Sequence, residues 1–237
     1  MDVFREVWHR ALTTQPAPPG WVIAMTAVLA ALLVWAPGAW PITRHVVTIA
    51  HEAAHGFVAL LSGRKLHGIR LHSDTSGLTV SAGRTTGLGM IVTAAAGYLG
   101  PGLLGLGAAA LLAHHRPVGL LWASLILLAL LLIQVRNWFG LWSIMVSAAV
   151  VFGVSWWLGP QAQSAFAYSL TWFLLLAAPR PVLELQALRR RTGARSSDAD
   201  QLARLTFVPA IMWVGFFLVA TVGALALGTR WLVAAAA

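Results

Sequence analysis

Arg44-His45-Val46-Val47-Thr48-Ile49-Ala50-His51-Glu52-Ala53-Ala54-His55-Gly56-Phe57-Val58-Ala59-Leu60-Leu61 is the stretch on which the fold turns. It is apolar and long enough to enter a bilayer, yet it carries His51, Glu52 and His55 near its centre. On an α-helix His51 and His55 fall on one face, about 40° apart in azimuth and roughly 6 Å apart along the axis. Both imidazoles can then reach one zinc ion, with Glu52 beside it as a general base. Ionisable groups at membrane depth are costly, so three within five residues point to a function.

The surrounding chain is built for lipid. Of 237 residues, 59% are hydrophobic and 10% charged, against about 25% charged in a soluble domain. This composition describes an integral membrane protein with several spans. Without a cysteine, the chain has no disulfide, no iron–sulfur cluster and no thiol nucleophile. The net charge of +9 invites a nucleic-acid reading. The basic residues, however, sit between apolar spans, as topology signals do, so no nucleic-acid partner is expected. The first apolar run begins near Trp21, behind a polar, proline-containing lead (residues 1–20), and continues at spanning length. No cleavable signal peptide is expected there.

The apolar pattern predicts an all-α membrane protein, a polytopic bundle of about seven transmembrane helices in one domain over residues 21–237. The spans run about Trp21–Trp40, Arg44–Leu61, Gly87–Leu112, Val118–Val135, Trp138–Leu158, Ala162–Ala178 and Phe207–Val233. Pro37 and Pro41 should end or kink the first helix. Trp21, Trp40, Trp138, Trp156, Trp157 and Trp231 stand at span ends, where an interfacial belt is expected. With the amino terminus in the cytoplasm, 13 of the 16 basic residues fall inside, leaving Arg44, Arg116 and Arg230 outside. Arg10 and Arg195 are among the inside set. This bias predicts a cytoplasmic amino terminus and an outside carboxyl terminus. On a straight spanning helix the metal would lie roughly 10–15 Å from either surface.

Two inside segments have structure of their own. Between Lys65 and Ala82, Ile69 and Leu71 alternate with Arg70 and His72, and Leu78 and Val80 with Thr79 and Ser81. Ser73-Asp74-Thr75-Ser76-Gly77 supplies turn chemistry, and the whole reads as a β-hairpin. In the basic segment 179–204, Leu183–Arg191 has the pattern of a short amphipathic helix. Ser197-Asp198-Ala199-Asp200 has that of a capping box opening another.

The His-Glu-x-x-His helix, the hairpin after it, Ala95-Ala96-Gly97-Tyr98-Leu99-Gly100-Pro101, Arg136-Asn137-Trp138-Phe139-Gly140 and Ser197–Leu202 together resemble the site-2-protease-like intramembrane zinc metalloproteases, in particular a compact bacterial branch. The resemblance spans about Arg44 to Trp213. It implies hydrolysis of peptide bonds in membrane protein substrates within or beside the lipid bilayer of a bacterial plasma membrane. It also implies His51 and His55 as ligands of Zn2+, with Glu52 as the base that activates water. Typical members add an aspartate from an Asp-Gly pair on a later helix, and this sequence has no such pair. Asp198 comes first as third ligand because its Ser-Asp-Ala context resembles the compact branch; helix capping is its other reading. Asp200 and Asn137 are the alternatives. Glu184 is expected to pair with Arg180 or with Arg189–Arg191. Gly97, Gly100 and Gly102 would let the third span pack closely against the zinc helix. His67, His72 and Asp74 belong to the hairpin region, near the entrance. The hairpin itself would hold an extended substrate by edge pairing. The missing Asp-Gly pair also leaves open a second class, a non-catalytic zinc-binding membrane scaffold.

Overall fold

The computed structural model describes Arg5, Trp8 and residues 12–193 and 196–235; Arg10 and Arg195 lie outside the described residues. The elements are α1 (Gly20–Trp35), α2 (Trp40–Leu61), β1 (Lys65–Leu71), β2 (Gly77–Ala82), α3 (Leu88–Ala113), α4 (Pro117–Gln134), α5 (Trp138–Trp157), α6 (Pro160–Ala177), α7 (Pro179–Thr192), α8 (Asp198–Thr206) and α9 (Ala210–Ala234).

Five helices among the described residues are long and apolar enough to cross a membrane: α3, α4, α5, α9 and the run Pro160–Thr192 that joins α6 to α7. The first two helices pass the same test only as a pair, bent by 98° at the break between them. By length and composition the described residues thus hold five candidate spans, or six if the bent pair is one span, and not the seven expected, because the first two helices meet at this bend. The cause lies in residues 36–41. Ala36 is extended (φ −69°, ψ 128°), as a residue before proline prefers. Pro41 opens α2, where its missing N–H leaves no gap.

Contacts with α7 fix this break. Arg180 donates to the Val34 carbonyl at the open end of α1, and its guanidinium lies 4.3 Å above the Trp40 ring. Glu184 accepts from Trp40 Nε1 (2.7 Å) and Arg180 Nε (3.1 Å) and stands 3.4 Å from Arg44. Trp40 is thus only 5% exposed rather than part of an interfacial belt, whereas Trp21, Trp138 and Trp157 are exposed.

The bundle has two distinct ends. At one, the Gln15 N–H donates to the His115 carbonyl (2.8 Å), and the Gln15 side chain bonds Gln163 (3.2 Å) and Ser164 (3.0 Å). At the other lie the hairpin, the α4–α5 junction, α7 and α8. Glycines show how α9 runs. Gly102 lies against Thr221 and Ala224, while Gly105 and Gly228 both lie against Leu175. The last helix therefore points the same way as α3, towards the Gln15 end. The described segments nearest the two ends of the chain, Gln15 and the end of α9, therefore lie at one end of the bundle.

The hairpin covers the expected residues, antiparallel from Leu71 opposite Gly77 to Lys65 opposite Ala82, with a bulge between Leu66 and Gly68. In its turn Asp74 accepts from the Ser76 hydroxyl (2.6 Å) and N–H (2.9 Å), which hold its carboxyl below the usual range. Two strands alone are marginal, and here the α4–α5 junction supports them. Ile69 forms a parallel bridge with Val135, and its carbonyl accepts from the Arg136 N–H (2.9 Å). Ile49, Ile69, Leu71, Val135 and Ile144 form a buried cluster beneath.

Candidate metal centre

The α2 helix lies antiparallel along the first half of α3. Ser62 meets Gly89, His55 meets Gly97, and Ala54 meets Gly100, where an added Cβ would come within 2.4 Å of the Ala54 Cβ. Small residues permit this approach. It brings His51 Nε2 and His55 Nε2 to 3.0 Å from one another.

Asp198 arrives from α8, a nine-residue helix outside the candidate spans. Its Oδ2 stands 3.3 Å from His51 Nε2 and 3.2 Å from His55 Nε2. Among the described residues, these three are the group of ionisable side chains able to hold a metal ion. Ligands about 2.1 Å from a tetrahedral zinc lie about 3.4 Å apart, so the three edges fit the ion. The tautomer fits as well: His55 Nδ1–H donates to the Thr93 carbonyl (2.7 Å), leaving Nε2 with its lone pair for a metal. Gly97 forms the wall. A Cβ there would come within 2.3 Å of His55 Nε2 and 2.5 Å of His51 Nε2. Tyr98 meets the His51 ring edge-on at 4.9 Å and stacks on Phe217.

The other two candidate ligands are engaged elsewhere. Asp200 closes the capping box with Ser197, accepting from its N–H (3.1 Å) and hydroxyl (2.6 Å), and it also accepts from Arg189. Burial would raise the Asp200 carboxyl, but these donors outweigh it and hold it low. With Asp200 serving the cap, Asp198 at the first position of α8 faces the histidines. An apolar cluster that includes Ala95, Leu185, Ala199, Leu202 and Phe217 fixes the helix in place. Asn137 is likewise engaged: its amide accepts from the Leu71 N–H (3.1 Å) and donates to the Leu71 carbonyl (2.6 Å), as a neighbouring strand would. Glu184 belongs to the α1–α2 break, and His72 and Asp74 to the hairpin turn.

Glu52 is buried beneath β2, where the Thr79 hydroxyl donates to its Oε2 at 2.6 Å. The ligand side chains keep some exposure, 20% for His51, 11% for His55 and 23% for Asp198. The protein itself therefore does not seal off the centre. Thr79, Thr93 and Tyr98 were not legible as site residues. Thr93 contributes a backbone carbonyl, for which no side-chain pattern exists.

A family model described as Peptidase M50B-like matches residues 24–228, a range that includes the motif helix, the hairpin and α8. No curated protein and no solved structure gave a significant match.

Proposed function

We propose, on the premise that the chain belongs to the Peptidase M50B-like family, that it is an intramembrane zinc metallopeptidase acting on membrane-embedded or membrane-adjacent proteins. In this reading His51, His55 and Asp198 hold the zinc, and Glu52 is the general base. The observation that carries it is the convergence of three ligand atoms from two separate helices beside a buried glutamate. Three protein ligands with a fourth position open is the pattern of a catalytic zinc site.

Zinc, when bound, polarises the scissile carbonyl and makes water acidic enough to ionise near neutral pH. Glu52 accepts the proton of the attacking water and passes it to the leaving amine. The Thr93 carbonyl keeps His55 in one tautomer, and Gly97 keeps the wall of the site free of side-chain atoms. A helical substrate must unwind before its carbonyl is reached, and the outer edge of β2 offers backbone pairing to the extended segment.

The charge distribution supports an orientation. Among the described residues Arg44, Arg64, Lys65, Arg70, Arg84, Arg136, Arg180, Arg189, Arg190, Arg191 and Arg204 flank the hairpin end. Arg116 and Arg230 flank the other. Basic residues favour the cytoplasm, so in this reading the metal site faces the cytoplasm and the Gln15 end faces outside.

Glu52→Gln tests the activity. In detergent-purified, zinc-loaded protein it should keep its zinc and lose cleavage of a labelled casein probe by about 100-fold or more, while His51→Ala should lose the metal. Undiminished cleavage by Glu52→Gln, or wild type that takes up no zinc, would overturn the assignment.

A further inference from the structure

We propose that Thr79 is a positioning residue: its hydroxyl, carried by β2, holds the Glu52 carboxylate so that one oxygen stays free for the attacking water. The inference rests on the reading of Glu52 as general base. Thr79 Oγ1 lies 2.6 Å from Glu52 Oε2 and 3.1 Å from the Glu52 carbonyl oxygen. A hydroxyl donating to a carboxylate at this distance is a short, charge-assisted bond. Among the described residues no donor reaches Oε1.

The strand is shaped around this contact. Gly77, Thr79 and Ser81 share one face of β2, while Leu78 and Val80 on the other face are exposed. At Gly77 a Cβ would come within 2.5 Å of Glu52 Cγ, so the position next to Thr79 on that face must lack a side chain. Three contacts set the register. At the tip, the Thr48 hydroxyl donates to the Thr75 carbonyl (2.8 Å). Midway, Asn137 grips Leu71. At the base, Arg64 Nε donates to the Ser81 hydroxyl (3.1 Å). A slip of one residue would put Leu78 or Val80 on the carboxylate instead. An anchor serving only the strand would need no contact with the carboxylate; this hydroxyl binds the reactive group of the adjacent helix.

Two variants separate the hydroxyl from side-chain bulk. Thr79→Val should keep zinc and lower kcat for casein about 10- to 100-fold with KM unchanged, while Thr79→Ser stays within about threefold of wild type. Loss of zinc in Thr79→Val, wild-type kcat in Thr79→Val, or equal impairment of the two variants overturns the proposal. A second readout does not depend on turnover. The chain has only three glutamates, Glu6, Glu52 and Glu184, so protein labelled with 13C-carboxyl glutamate gives an infrared band assignable by its loss in Glu52→Gln. That band should move in Thr79→Val and stay in Thr79→Ser. An unmoved band sinks the inference whatever the enzyme does. A band that moves in Thr79→Val, while the wild-type protein cleaves nothing, upholds the contact and sinks the peptidase reading instead.

Discussion

At Gly97 the absence of one carbon keeps the space beside His51 and His55, the proposed ligand nitrogens, open. Its missing Cβ would lie closer to both ligand nitrogens than any ordinary contact allows, while at Gly102, less than two turns further along α3, the nearest atoms are 3.6 Å away. Gly97→Ala should therefore lower zinc affinity at least tenfold with unchanged helix content, and Gly102→Ala should leave zinc binding intact. Equilibrium dialysis with circular dichroism compares the two, and equal zinc binding would show that the wall is not where Gly97 lies. The third ligand makes a second prediction. Removing Asp198 takes away a donor, so Asp198→Ala should weaken zinc about 100-fold or more; Asn137→Ala should not weaken it measurably. Spacing alone singled out His51, Glu52 and His55 as candidates, because two imidazoles four residues apart must share a face. It left Asp198, Asp200 and Asn137 open, because what separates them is which partners already hold the other two. A carboxylate engaged by its own N-cap and an amide engaged by a strand are invisible until distant segments meet.

The hairpin and α8 share a design: each is too small to be stable alone and is held by side chains from other elements. Asn137 gives β1 two hydrogen bonds, each contributing about 1 kcal/mol. Asn137→Ala should open the hairpin about 30-fold more often, seen as faster hydrogen exchange at the Leu71 amide, with the amides of α3 unchanged. Unaltered exchange at Leu71 would mean that the apolar cluster under the strand holds it without the amide. The hairpin was legible because alternating residues and an Asx turn are local signals, as was the capping box at Ser197. Its attachment was not, since nothing near Leu71 in the sequence refers to a junction more than sixty residues away. The first break was half legible. Pro37 and Pro41 announced an interruption, but Arg180, Glu184 and Trp40 determine that the chain turns there rather than crossing again.

Composition identified a membrane protein, yet length and apolarity could not tell a helix that crosses from one that is half of a broken span. Counting α2 as half of a span, as proposed above, moves the amino terminus to the other side from the one the seven-span reading expects. With six crossings the lead and the α5–α6 junction lie at one end, where Gln15 bonds Gln163 and Ser164; with seven they would face opposite compartments. The cysteine-free sequence makes the test clean. Single cysteines at Thr14, Gln161 and Thr85, all exposed positions, would be probed in intact cells with a membrane-impermeant maleimide. Thr14→Cys and Gln161→Cys should both label from outside, and Thr85→Cys beside the hairpin only after the cells are opened, because eleven basic residues at that end favour the cytoplasm. Labelling of Thr14→Cys and Gln161→Cys from opposite sides would restore seven crossings. Labelling of both only in opened cells, with Thr85→Cys reached from outside, would keep the six-span bundle but turn it over, putting the metal site on the outer face.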